Sequence, residues 1–136
     1  MALRAKLRFD YKAEGRPKRF FWQRRDLKEV ARQIREQKIS LLRNLPFQGI
    51  QVAELNSDQE VYLVPGDETT PEIAYAPVEL VVEADSLEDL MPLTLSEDFR
   101  KIKVLEPDKL QLSNNEMERF LFRVNEEYRN ELADFN

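Results

Sequence analysis

The sequence predicts an α+β fold: an antiparallel sheet of five or six strands, two hairpins among them, with two main helices packed on one side. Three observations lead to it. Residues 3–11 alternate apolar and charged side chains without a break. A Ser-x-x-Glu box at Ser113 opens a long stretch of helical periodicity. Between them, apolar runs rich in β-branched residues recur at short intervals, separated by polar or Pro/Gly turns.

In the first strand Leu3, Ala5, Leu7, Phe9 and Tyr11 fall on one face and Arg4, Lys6, Arg8 and Asp10 on the other, as in a half-buried strand. KAEGRP then supplies a loop, and the aromatic-rich KRFFWQRR predicts its hairpin partner over 18–25. Asp26 and Glu29 form an Asp-x-x-Glu variant of the capping box. Leu27, Val30, Ala31 and Ile34 follow on one helical stripe, predicting a helix that fades near Lys38. FQGIQVAEL and EVYLV flank NSDQ as a second hairpin, and Pro65-Gly66 suits the middle of a type II turn.

IAYAPVELVVEA is a longer strand with Val78, Leu80 and Val82 on one face. Pro77 predicts that it lies at an edge or begins only after the proline. Ser86 opens a short turn, LEDLM, that Pro92 ends, and RKIKVLEP supplies a last strand. In the final helix Met117, Phe120, Leu121, Val124, Tyr128, Leu132 and Phe135 fall within an arc of about 120°. At ~1.5 Å per residue this helix is ~30 Å long, enough to cross a small sheet. The expected core contains Leu7, Phe9, Val30, Ile34, Val82, Phe120, Leu121 and Val124.

A chain of 136 residues suits a single domain, 1–136. No apolar run approaches the ~18 residues of a membrane span and the N-terminus lacks a signal-like apolar stretch, so a cytoplasmic protein is expected. The net charge of −5 conceals an asymmetry. Residues 1–45 carry 14 Lys/Arg and 5 Asp/Glu, a net of +9, whereas residues 46–136 carry 7 and 21, a net of −14. Such a split either marks a polarised surface or is neutralised where the two segments pack together.

The chemistry available is narrow. With no His and no Cys, Ser-His-Asp, Cys-His and imidazole–zinc sites are excluded. Gly15, Gly49 and Gly66 are too far apart for a phosphate-cradling loop. The densest acidic cluster, Glu83, Asp85, Glu88 and Asp89, lacks the glycine and ligand spacing of a calcium loop and reads as a solvated helix start. No catalytic, cofactor-binding or metal-ligating residue is therefore expected, and the chain reads as a non-enzyme.

Two surfaces stand out instead. Arg4, Lys6 and Arg8 share one strand face. Arg19 and Phe21 join them if Phe20 and Trp22 point the other way. With Arg25, Lys28, Arg32 and Arg35 they would form a basic face with an aromatic ring, suited to a nucleic-acid backbone and an unstacked base. On the last helix Phe122 lies about 140° from Met117, outside the apolar stripe, and is flanked by Arg119 and Arg123, a combination enriched in interfaces. The leading expectation is a small binding or adaptor protein acting through protein–protein contacts, with no cofactor and no membrane, and with homo-oligomers open to it. The runner-up is an RNA- or single-stranded-DNA-binding protein using the basic face.

Overall fold

The computed structural model describes residues 3–15, 26–44 and 48–135, the last five of these by backbone alone. The elements are β1 (Leu3–Glu14), α1 (Leu27–Arg43), β2 (Ile50–Asn56), β3 (Tyr62–Val64), β4 (Ile73–Ala84), α2 (Leu87–Thr94), β5 (Phe99–Glu106) and α3 (Asn114–Phe135). They make an α+β fold with a five-stranded antiparallel sheet and three helices.

β1 and β4 form the centre of the sheet, paired along their whole length from Leu3 opposite Ala84 to Glu14 opposite Ile73. Every odd-numbered residue of β1 and every even-numbered residue of β4 is buried on one face. That face carries Leu3, Leu7, Phe9, Tyr11, Val78, Leu80 and Val82. α1 covers it with Leu27, Ala31, Ile39 and Leu42, and α2 adds Leu90 and Leu93. Asp26 caps α1 as expected, accepting from the Glu29 N–H at 3.4 Å. The helix does not fade at Lys38 but runs on to Arg43, because Ile39 and Leu42 continue the buried stripe.

The second expected hairpin gives way to longer-range pairing, and the first falls on residues outside the description. Residues 18–25 lie outside the described residues; the described partners of β1 are β4 on one side and β5 on the other. β2 and β3 do not pair with each other. Both run antiparallel to β4, β2 against residues 79–84 and β3 against 73–75, so they form one edge strand interrupted by a loop. Pro77 sits inside the central β4, not at an edge. Asp10, its partner on β1, turns its N–H away from β4 to the Asp98 carbonyl at 2.9 Å. The proline nitrogen therefore faces the gap between β2 and β3, where no ladder bond is lost.

Two further local expectations are corrected. Gly66 has no positive φ, so Pro65-Gly66 is not the middle of a type II turn. Asp67 organises that loop instead, accepting from the N–H groups of Thr69 at 2.8 Å and Thr70 at 2.7 Å. α2 passes through Pro92 and ends at Thr94. The final helix is present, and its capping box is closed in both directions: Glu116 N–H donates to Ser113 Oγ at 3.1 Å and Ser113 N–H to Glu116 Oε1 at 3.3 Å.

However, α3 does not cross the sheet. Among the described residues α2 is the element on which it rests. Phe120 is half-buried, and Leu121 and Val124, expected in the core, are exposed at 66% and 41%. Val30 and Ile34 are half-buried against the core under α1. Leu7→Ala should therefore cost ~2–5 kcal/mol, as large-to-small changes in a packed core do. Leu121→Ala should cost under ~0.5 kcal/mol, the level of an ordinary surface site. Urea unfolding of the two variants checks this, and a larger loss for Leu121→Ala than for Leu7→Ala would contradict the placement of α3.

Candidate interaction surfaces

The uncovered face of the sheet is built by the even-numbered residues of β1 and the odd-numbered residues of β4. Alternation brings Arg4, Lys6 and Arg8 together there, as the sequence predicts, but it also brings acids opposite them. Arg4 Nη1 lies 3.0 Å from Glu83 Oε1 and its Nη2 3.8 Å from Glu54. Lys6 Nζ lies 2.9 Å from Glu79 Oε2, and Gln59 Nε2 donates to the same carboxylate at 2.6 Å. Arg8 Nε lies 2.9 Å from Asp10 Oδ1. On β1 and β4, then, the basic and acidic segments of the chain neutralise each other.

Asp10 is the hub of this face. It is 3% exposed, and besides Arg8 it accepts from the Tyr62 hydroxyl at 2.6 Å and lies 3.6 Å from Arg100. Tyr62 stacks on Tyr75 with ring centroids 5.2 Å apart, and Arg100 lies 5.2 Å from the centre of the Tyr75 ring. Burial first, and then the bond to Asp10, hold the Tyr62 hydroxyl above the usual tyrosine range. The hydrogen bond to Asp10 likewise raises the Arg8 guanidinium.

The basic row expected on α1 is dispersed. Arg35 turns inward: its Nη1 donates to the Gln59 carbonyl at 2.9 Å and the Pro77 carbonyl at 3.3 Å, bridging the gap where the edge strand is interrupted. Arg32 is tied to Glu29 at 3.0 Å, and Lys28 is half-buried. Arg19, Phe21 and Arg25 lie outside the described residues. The continuous basic face from hairpin to helix is thus not assembled by the described members.

Two lysines that sequence reasoning did not single out replace it. β5 places Lys103 directly opposite Lys6 and Lys101 directly opposite Arg8. Neither lysine has an ion-pair partner among the described residues, and the four cations border a shallow groove of about 200 Å³ that Glu79 also lines. Like charges directly across a strand pair are destabilising. The signal was present as Lys-x-Lys at period two in RKIKVLE, but its meaning depends on which strand lies alongside.

The second surface is α3. Phe122 is exposed at 66%, as expected of an interface candidate. Its arginines are engaged: Arg119 Nε lies 3.8 Å from Glu88 on α2, and Arg123 Nε 2.8 Å from Glu127 one turn on. Glu88, Asn115, Glu118, Arg119, Phe122, Arg123 and Glu126 line a shallow groove of about 470 Å³ between the two helices. More telling is the apolar stripe. The half-buried flank of α3 is Phe120, Arg123 and Glu127, so Met117 (43%), Leu121 (66%), Val124 (41%) and Tyr128 (61%) are left in solvent.

Among the described residues no helix is long and apolar enough to cross a membrane, and no cluster of three His, Cys, Asp or Glu side chains is positioned to hold a metal ion. The chain matches no family model, no curated protein and no solved structure.

The Tyr62–Asp10 bond yields a pH test. Because the folded state holds the Tyr62 proton more tightly than the unfolded chain, its contribution is fully present below the free tyrosine pKa of ~10 and is lost as pH rises through the folded value. The difference between the tyrosinate absorbance titrations of wild type and Tyr62→Phe should therefore emerge above pH ~10. A difference centred at or below that pH would show that the bond is not kept in solution.

Proposed function

We propose that this chain is a non-enzymatic binding module that works through protein–protein contacts, with α3 as its docking element. The observation that carries this reading is the bare stripe of Met117, Leu121, Val124 and Tyr128. Scattered exposed apolar residues are normal, but a contiguous apolar row on one helix is the form in which helices are recognised by partner proteins. The lack of histidine, cysteine and a glycine-rich loop supports a binding role over a catalytic one.

The test compares full-length wild type with Leu121→Glu/Tyr128→Glu and with Lys101→Ala/Lys103→Ala. All three should unfold at closely similar temperatures, since the altered side chains are exposed. Wild type and the lysine variant should retain the same bound proteins, second copies of the chain included, and the stripe variant should lose them. Identical binding by all three, or binding by none, would overturn the reading.

A second reading is favoured by one observation, the pairing of Lys101 and Lys103 with Arg8 and Lys6 across the β1–β5 ladder. In this reading the backbone of a single-stranded nucleic acid follows the β1–β5 groove. A mixed-sequence oligonucleotide should then bind at low salt. Lys101→Ala/Lys103→Ala should flatten the logarithmic salt dependence by about 1.4, at ~0.7 per phosphate contact. No binding at low salt would remove this reading.

A further inference from the structure

We infer that the occupant of the α3 stripe is the α3 stripe of a second copy of the chain, lying antiparallel to the first about a two-fold axis; this rests on the reading of α3 as the docking element. The argument begins with spacing. Met117, Leu121, Val124 and Tyr128 follow one another at intervals of four, three and four residues. Alternating threes and fours are the seam of a coiled coil, whose knobs keep facing a partner helix. This seam also reads the same in both directions. An antiparallel copy therefore sets Met117 against Tyr128 of the second copy and Leu121 against its Val124, and the two-fold repeats both pairs in self-complementary fashion.

Charge then selects the orientation. The flank formed by Phe120, Arg123 and Glu127 is half-buried, so a second helix reaches the stripe across the other flank. That flank carries Glu118 and Arg129, each one residue after an end of the seam; Glu118 also borders the groove toward α2, and neither has an ion-pair partner among the described residues. The two-fold that pairs Met117 with Tyr128 brings Glu118 opposite Arg129 of the second copy, and Arg129 opposite its Glu118. A parallel two-fold pair would instead set this flank of each helix against the half-buried flank of Phe120, Arg123 and Glu127 in the other copy, and neither charge contact would form. Asn125, between the two charged residues, is neutral in either orientation.

Sedimentation of the full chain over a concentration series tests this. Wild type should form a dimer. Glu118→Arg alone and Arg129→Glu alone should each weaken it about tenfold, because each sets like charges against each other. Glu118→Arg/Arg129→Glu together should restore it to within about threefold, the recovery expected of groups that act through one contact. Leu121→Glu should abolish it, with circular dichroism showing that the helix content is kept. A dimer that ignores the charge reversals, or that survives Leu121→Glu, overturns the proposed contact. A chain that is monomeric at every concentration also overturns it. If such a monomer still holds other proteins through the stripe, only the identity of the occupant fails; if it holds none, the docking role of α3 fails with it.

Discussion

The register of β1 on β4 is the constraint from which the other features follow. Twelve residues pair with twelve, and the side-chain period of a strand is two. A slip by one residue would bring Arg4, Lys6 and Arg8 under α1 and turn Leu3, Leu7 and Phe9 into water. With the register as it stands, one face of the central pair is uniformly apolar and α1 and α2 close over it. The same register decides the fate of the charge asymmetry. β1 comes from the basic segment and β4 from the acidic one, so their outward residues meet as Arg4 with Glu83 and Lys6 with Glu79. These pairs are largely solvated and contribute little stability individually. Among the described residues they neutralise the outward cations of β1. On the same face β5 adds Lys101 and Lys103, which meet Arg8 and Lys6 rather than an acid across the ladder.

Around this pair the fold tolerates irregularity by redirecting single side chains. The edge strand beside β4 breaks between β2 and β3, and the break falls where Pro77 has no N–H to offer. The Pro77 carbonyl still needs a donor, since a buried backbone acceptor left unpaired is costly. Arg35 reaches across from α1 to supply it and takes the Gln59 carbonyl of the connecting loop as well. A guanidinium with several donors in a fixed fork suits such a double contact. Gln59 in turn steadies Glu79, which holds Lys6. The bridge thus joins the helix layer, the broken edge and the outer charged face.

What could be read in advance was whatever is local. The alternation of residues 3–11, the caps at Asp26 and Ser113, and the lengthwise extent of α3 are encoded within a few residues of where they act, and each is found in the structure. Pairing is not local. Adjacent strand-like runs suggest hairpins, yet β1 pairs with β4 some seventy residues away, and β2 and β3 share a neighbour instead of each other. Arg35 illustrates the limit for site residues. On a helical wheel it borders the apolar stripe like any solvated arginine, and only the break in the edge strand gives it an inward target. Asp10 is similar: the alternation places it outward, correctly, but its near-complete burial arises from Tyr62 and Arg100 on two other strands.

For α3 the sequence pattern states that one face is to be covered and leaves open by what. A 22-residue helix of this composition is marginal by propensity alone, and most helices in proteins are held by packing. Here the closed capping box and the Arg123–Glu127 pair brace the helix internally, and Arg119, 3.8 Å from Glu88, and the half-buried Phe120 join it to α2. These contacts hold the helix in place without using its apolar stripe. Had the stripe served the fold, it would lie on the flank that meets α2, with Phe120 and Arg123, and it does not. Polar residues at Leu121 and Tyr128 would serve a free helix in water as well or better. The apolar seam therefore has no explanation within the described chain, and its palindromic spacing and the opposed charges of Glu118 and Arg129 point outward, to another helix of the same design.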